Sequence, residues 1–142
     1  RDVESTAMMI LGFESGRTGV IDASSLSAIR KPRFALYGTQ ATWVKYGLDP
    51  QEACMKEGDI DAAREDPNLF GKWNNGREEK TVPTIAGRWR SFYENIADAI
   101  QGKAELAVQP LQVRRAMEVF EAAWQSAETG EAVKVDVPAL SE

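Results

Sequence analysis

Trp43-Val44-Lys45-Tyr46-Gly47-Leu48-Asp49-Pro50-Gln51-Glu52, with Gly58 some residues further on, writes a strand end, a turn and a helix start into one short stretch. Trp43, Val44 and Tyr46 are aromatic or β-branched, the residue types that fit a pleated, half-buried surface. Gly47 breaks that run. Asp49 can accept from the free N–H groups of a helix start, Pro50 suits its first position, and Glu52 completes a capping-box spacing. A strand over Ala41 to Tyr46, then a short helix over Asp49 to Glu57 closed by Gly58, is therefore expected.

Upstream, Glu4 to Phe13 alternates two apolar sets: Ala7, Met9, Leu11 and Phe13 on one face, Met8 and Ile10 on the other. Glu14-Ser15-Gly16-Arg17 reads as a hairpin turn, and Thr18 to Ser27 as the returning strand with Val20, Ile21, Ala23 and Leu26. A third strand runs over about Arg33 to Gly38. Short connections of this kind join antiparallel neighbours, so a meander of four strands is expected.

Downstream, Gly58 to Lys80 is punctuated by Gly58, Pro67, Gly71, Asn74, Asn75 and Gly76 and reads as a long loop bordering a cleft. Thr81 to Ile85 fits an edge strand, where Pro83 is tolerated. Helical spacing returns over Arg88 to Gln101 with Trp89, Phe92, Tyr93, Ile96, Ala99 and Ile100, and Gly102 suits the C-terminal cap. A second helix runs from Pro110 to about Gly130, with Val113, Met117, Phe120, Trp124 and Ala127 expected to face a sheet. Val133 to Val137 alternates and reads as a last strand. The order predicts a single α+β domain: an open-faced, mostly antiparallel sheet with helices packed on one face. Met8 and Ile10 would leave the open face too apolar for water, so a homodimer or tetramer joined sheet to sheet is expected.

Composition narrows the classes of function. The chain has 142 residues, 43% hydrophobic and 27% charged, as an ordinary folded domain does. Its net charge of -5 argues against a nucleic-acid partner, which requires a concentrated basic face. No apolar run reaches the roughly 20 residues of a membrane helix. The single Cys54 permits no internal disulfide, which accords with a cytoplasmic location.

With the Trp43 to Glu52 string in view, the chain resembles the C-terminal half of the Gfo/Idh/MocA oxidoreductases, in particular their scyllo-inositol dehydrogenase-like branch, whose members carry a similar Tyr-Gly-Leu-Asp-Pro-Gln-Glu. The likeness extends to Tyr37-Gly38-Thr39, to Gly87-Arg88-Trp89 leading into Phe92-Tyr93-Glu94-Asn95-Ile96, and to Ser126-Ala127 with Gly130; only Leu69 to Lys80 stands outside it. It implies an NAD- or NADP-dependent enzyme that oxidises a sugar, inositol or related polyol. The cofactor would lie mainly on an N-terminal Rossmann domain, through a Gly-rich turn at a helix N-terminus. The family's Lys and His acid/base pair lies upstream of the residues matched here. This chain has neither G-x-G-x-x-G nor any His. It opens without Met at what reads as a strand start, so it is expected to be a fragment that is inactive alone, with no catalytic, cofactor-binding or metal residue of its own. Its part would be to shape the substrate pocket and hold the oligomer.

Five residues are candidates for the pocket wall: Lys45, Tyr46, Asp49, Trp89 and Tyr93. Each has a plainer role beside it. Lys45 on a strand is ordinarily solvated, Asp49 ordinarily caps a helix, and Trp89 and Tyr93 share apolar helical spacing. Cys54 reads as a small hydrophobe, and Asp59, Asp61, Glu65 and Asp66 as a solvated acidic loop without the spacing of a calcium loop. A stand-alone dimerisation module, or a carbohydrate-binding module using Trp73 and Trp89 beside Asn74 and Asn75, is the alternative.

Overall fold

The computed structural model describes residues 4–137. The chain divides into two compact units, residues 24–89 and residues 1–23 with 90–142.

In the first unit a four-stranded antiparallel sheet runs in chain order: β3 (Phe34–Tyr37), β4 (Thr42–Lys45), β5 (Gly71–Asn74) and β6 (Glu79–Val82). Leu36, Trp43, Trp73 and Lys80 share one rung. The Lys80 ammonium lies 5.4 Å from the centre of the Trp73 ring, a cation–π contact that covers this face. Trp43 packs edge-on over Gly71, where a Cβ would sit 2.3 Å from the indole nitrogen. Strand β5 thus begins at glycine because the neighbouring strand's indole fills the space of a side chain.

Between β4 and β5 lie α1 (Gln51–Lys56) and two 3-10 turns, Ile60–Ala62 and Pro67–Leu69. Asp59 and Asp66 hold those turns, their carboxylates accepting from the N–H groups of Ala62 and Asn68. The segment from Gly58 to Lys80 is therefore not a structureless loop: it contains β5 and most of the β5–β6 hairpin. Four residues bounded by Gly71 and Asn74 carry too little alternation to show as a strand, and only pairing on both sides forms it. Strand β6 is an edge as expected, but it runs over Glu79–Val82 rather than Thr81 to Ile85 and stops before Pro83, which has no N–H for a ladder.

In the second unit β1 (Thr6–Gly12) and β2 (Thr18–Ser24) form a separate two-stranded sheet, so the four leading strands do not make one continuous meander. Residues 25–33 intervene without forming a strand. Met9 and Leu11 are partly covered, whereas Met8 and Ile10 are 65% and 68% exposed, so one face of β1 is open. Helix α2 (Arg90–Ile100) ends at Gly102 in the left-handed region, and α3 (Pro110–Thr129) ends the same way at Gly130. At the α3 start the Gln112 side chain accepts from the Gln109 backbone N–H at 2.9 Å, while the Gln112 N–H donates to the Gln109 carbonyl.

The C-terminal part departs from expectation in two places. Residues 133–137 form no strand. On α3 the partly covered residues are Leu111, Arg115, Glu118, Val119, Ala122, Ala123 and Ser126, while Val113, Met117, Phe120 and Trp124 are all more than half exposed and Ala127 is exposed with them. The helix carries apolar residues on two faces, and the face with Leu111, Val119 and Ala122 is the one partly covered. Among the described residues no apolar side chain is fully buried.

Candidate functional site

The ten-residue stretch that organises the sequence also organises the site. Strand β4 delivers Lys45 at its end, Gly47 turns the chain at φ 85°, and α1 begins four residues later. A side chain at Gly47 would meet Leu69 at 3.0 Å, so the turn and the second 3-10 turn are closely packed.

Gln51 is 5% exposed and is the buried polar residue of the described chain. Its amide Nε2 donates to both Asp49 carboxylate oxygens, at 3.1 and 3.0 Å. Its Oε1 accepts from the Trp89 backbone N–H at 2.8 Å. Asp49 also accepts from the Gln51 backbone N–H at 3.0 Å, which satisfies a free donor at the start of α1 as the sequence predicts. Glu52 does not close a capping box. It pairs instead with Lys56 one turn on, at 2.7 Å, and that ammonium holds the Glu52 carboxyl below the usual carboxylate range.

Lys45 is not a solvated strand lysine. Its ammonium pairs with Glu65 and donates to the Leu69 carbonyl at 3.0 Å, with side-chain exposures of 12% and 13% for the pair. Burial pushes the Glu65 carboxyl upward, but hydrogen bonding from Lys45 and Thr84 and the Lys45 charge outweigh it, leaving the group below its ordinary value; nearby Asp49 opposes them. The second oxygen, Oε2, is buried and lacks a partner of good hydrogen-bond geometry. Glu65 thus belongs to the same polar cluster as Lys45 and Asp49, where the sequence alone placed it in a solvated loop.

Of the five candidate residues, Lys45, Tyr46, Asp49 and Trp89 lie in the unit of residues 24–89, and Tyr93 lies in the other. Tyr46 is 45% exposed beside the turn. Trp89 precedes α2, one turn before Tyr93, whose ring meets Phe92 edge-to-face at 5.3 Å. Gln51 and Glu65 are the members that sequence reasoning missed. Gln51 stood inside the quoted motif, yet its partner Trp89 is 38 residues away. Trp73, Asn74 and Asn75 are occupied elsewhere: Lys80 lies over the indole, and both asparagine side chains are tied into the β5–β6 turn. Among the described residues no group of three or more acidic, Cys or His side chains is placed to hold a metal ion. Among them, too, no helix is long and apolar enough to cross a membrane.

Antiparallel sheets with three helices, one of them started by a braced, buried glutamine, define an α+β class of fold. Residues 1–136 match the oxidoreductase family, C-terminal alpha/beta domain, and the chain belongs to that Gfo/Idh/MocA family. It is 32% identical over 124 residues to the uncharacterized oxidoreductase YdgJ of Escherichia coli, covering 83% of this chain and 36% of that protein. It is 25% identical over 115 residues to scyllo-inositol 2-dehydrogenase (NADP(+)) IolW of Bacillus subtilis, covering 75% of this chain and 32% of that one. The chain thus spans about a third of the length of the curated relatives it matches. A solved structure from Klebsiella pneumoniae superposes with a TM-score of 0.85 at 24% identity, over 98% of this chain and 40% of the other, a likeness of fold.

Proposed function

We propose that this chain is the substrate-side domain of an NAD- or NADP-dependent oxidoreductase acting on a sugar, inositol or related polyol, in which it shapes one wall of the pocket and joins subunits. The observation that carries the reading is the family match along residues 1–136, with the scyllo-inositol enzyme among the relatives. In such an enzyme a hydride passes between a substrate carbinol carbon and the nicotinamide, and the cofactor supplies that chemistry.

The described residues do not fit a dinucleotide. At the α3 N-terminus, where a pyrophosphate would need free N–H groups, the Gln109 N–H is taken by the Gln112 side chain, and no Gly-rich turn precedes it. Binding of NAD(P) is therefore assigned mainly to a further, N-terminal domain. What this chain contributes is position. The Gln51 and Lys45 clusters brace the turn that carries Tyr46, and they fix the backbone at Trp89. Tyr46 and Trp89, in the unit of residues 24–89, carry rings able to stack on or hydrogen-bond a polyol, and Tyr93, in the other unit, carries a further one. Lys45 and Asp49, whose polar atoms are engaged by Glu65, Leu69 and Gln51, act on the pocket through that framework.

The open face of β1, with Met8 and Ile10, supports association of the chain with itself in a two-fold manner. The test is turnover by the whole protein with NAD or NADP and a panel of inositols and hexoses, followed at the nicotinamide absorbance, beside the isolated chain. Turnover by the whole protein alone is the expected result. Absence of any polyol-dependent reduction with either cofactor would overturn it. Light scattering on the whole protein should give twice or four times the subunit mass, and a monomer at micromolar concentration would remove the oligomer part.

A further inference from the structure

The tip of the β5–β6 hairpin carries a chemical liability that the oxidoreductase reading does not use. The turn is Asn75-Gly76-Arg77-Glu78, with Gly76 at φ 84° in its first central position and Asn75 N–H bonded to the Glu78 carbonyl. The geometry is that of a hairpin turn with glycine first. Asn75 Oδ1 accepts from the backbone N–H groups of Arg77 at 2.9 Å and Glu78 at 2.8 Å. Gly76 N–H donates to Asn74 Oδ1 at 2.7 Å. All four residues are exposed.

We propose that Asn75 is a site of spontaneous deamidation through a succinimide closed by the Gly76 nitrogen. In that step the Gly76 nitrogen bonds to Asn75 Cγ, and the Cγ–Nδ2 bond breaks. Ammonia leaves, carrying the proton that the Gly76 nitrogen gives up. Water then opens the ring at either carbonyl, giving aspartate or isoaspartate, with no change of oxidation state.

Three features favour position 75 over the other asparagines, Asn68, Asn74 and Asn95. Their successors Leu69, Asn75 and Ile96 carry a Cβ that hinders attack by the backbone nitrogen, and Gly76 has none. The two N–H groups on Asn75 Oδ1 lie where negative charge develops as Cγ becomes tetrahedral. Ring closure requires the Gly76 N–H to release Asn74 Oδ1 and the outermost rung of an edge hairpin to open, and β6 pairs with β5 alone. Asn95 lies within helix α2, and its amide nitrogen as well as its oxygen is engaged, by the Glu105 carbonyl and the Ala107 N–H at 2.8 Å each. The product places a carboxylate beside Glu78 and Glu79, and isoaspartate adds a backbone atom where the turn is tightest. Both loosen β6.

The test is incubation of the intact chain at mildly alkaline pH and peptide mapping by mass spectrometry, with isoaspartate resolved from aspartate. Conversion at Asn75 before any other asparagine, with isoaspartate among the products, is expected. Gly76→Ala should slow it several-fold. Conversion first at Asn68, Asn74 or Asn95 would overturn the proposal. So would an unchanged Asn75 under conditions that convert a synthetic peptide of residues 72–80. Aspartate formed without isoaspartate, at a rate indifferent to Gly76→Ala, would replace the ring route by direct hydrolysis.

Discussion

The side-chain oxygen of Gln51 accepts the backbone N–H of Trp89 at 2.8 Å, while the amide nitrogen of the same side chain holds both oxygens of Asp49. One buried side chain therefore ties the start of α1 to the residue that precedes α2. Replacement by leucine would leave the Trp89 N–H and the Asp49 carboxylate short of partners in a covered place. Gln51→Leu is expected to destabilise the fold by about 1–3 kcal/mol, read from urea unfolding of the chain. A loss within error of zero would show that water replaces the amide without penalty.

Gln51→Glu keeps the shape but sets a carboxylate against Asp49. Its damage should grow as pH rises through the carboxylate range, because only the ionised pair repels. Unfolding midpoints of this variant relative to the parent chain, taken on both sides of that range, check the direction. A gap that is independent of pH would mean the two groups are not in repulsive contact.

Lys45 and Glu65 are joined across 20 residues, and each is largely covered. Lys45→Met leaves the Glu65 carboxylate without its cation and should cost about 3 kcal/mol, somewhat less where residual solvent screens it. Lys45→Met combined with Glu65→Leu should recover much of that loss. If the double variant is no more stable than the single one, the penalty does not come from an uncompensated charge.

The same pair predicts a pH dependence. Burial acts upward on Glu65, yet the Lys45 and Thr84 hydrogen bonds and the Lys45 charge hold its carboxyl below the ordinary value. A group depressed in the folded state contributes stability above its unfolded pKa, near 4, and loses it as pH falls through the folded value. Stability measured downward from neutral pH should therefore decline in that acid window, and Glu65→Gln should flatten the decline. An equally steep profile in the variant would assign the acid sensitivity to other carboxylates.

Gly71→Ala tests the sheet itself. The added Cβ would lie 2.3, 2.6 and 2.8 Å from three atoms of the Trp43 ring, so strand β5 or the indole must move. A loss of about 1–3 kcal/mol with altered tryptophan emission is expected. Unchanged emission and stability would show that the indole has a second resting place.

Sequence alone determined the local features whose causes are local. The stretch from Trp43 to Glu52 announced a strand, a turn and a capped helix because glycine, aspartate and proline act on their immediate neighbours. Pro110 and Gly130 bounded α3 for the same reason, and the two-residue alternation of β1 placed Met8 and Ile10 on its open face. The same residues also supplied the family. Tertiary structure alone decided the rest. Strand β5 exists because it is paired on both sides, and its four residues show no period of their own. Glu65 became the partner of Lys45, and Gln51 the acceptor of Trp89, only when the fold brought together atoms that no sequence spacing links. On α3 both faces are apolar, and which one is covered is a property of packing that one-dimensional periodicity does not record.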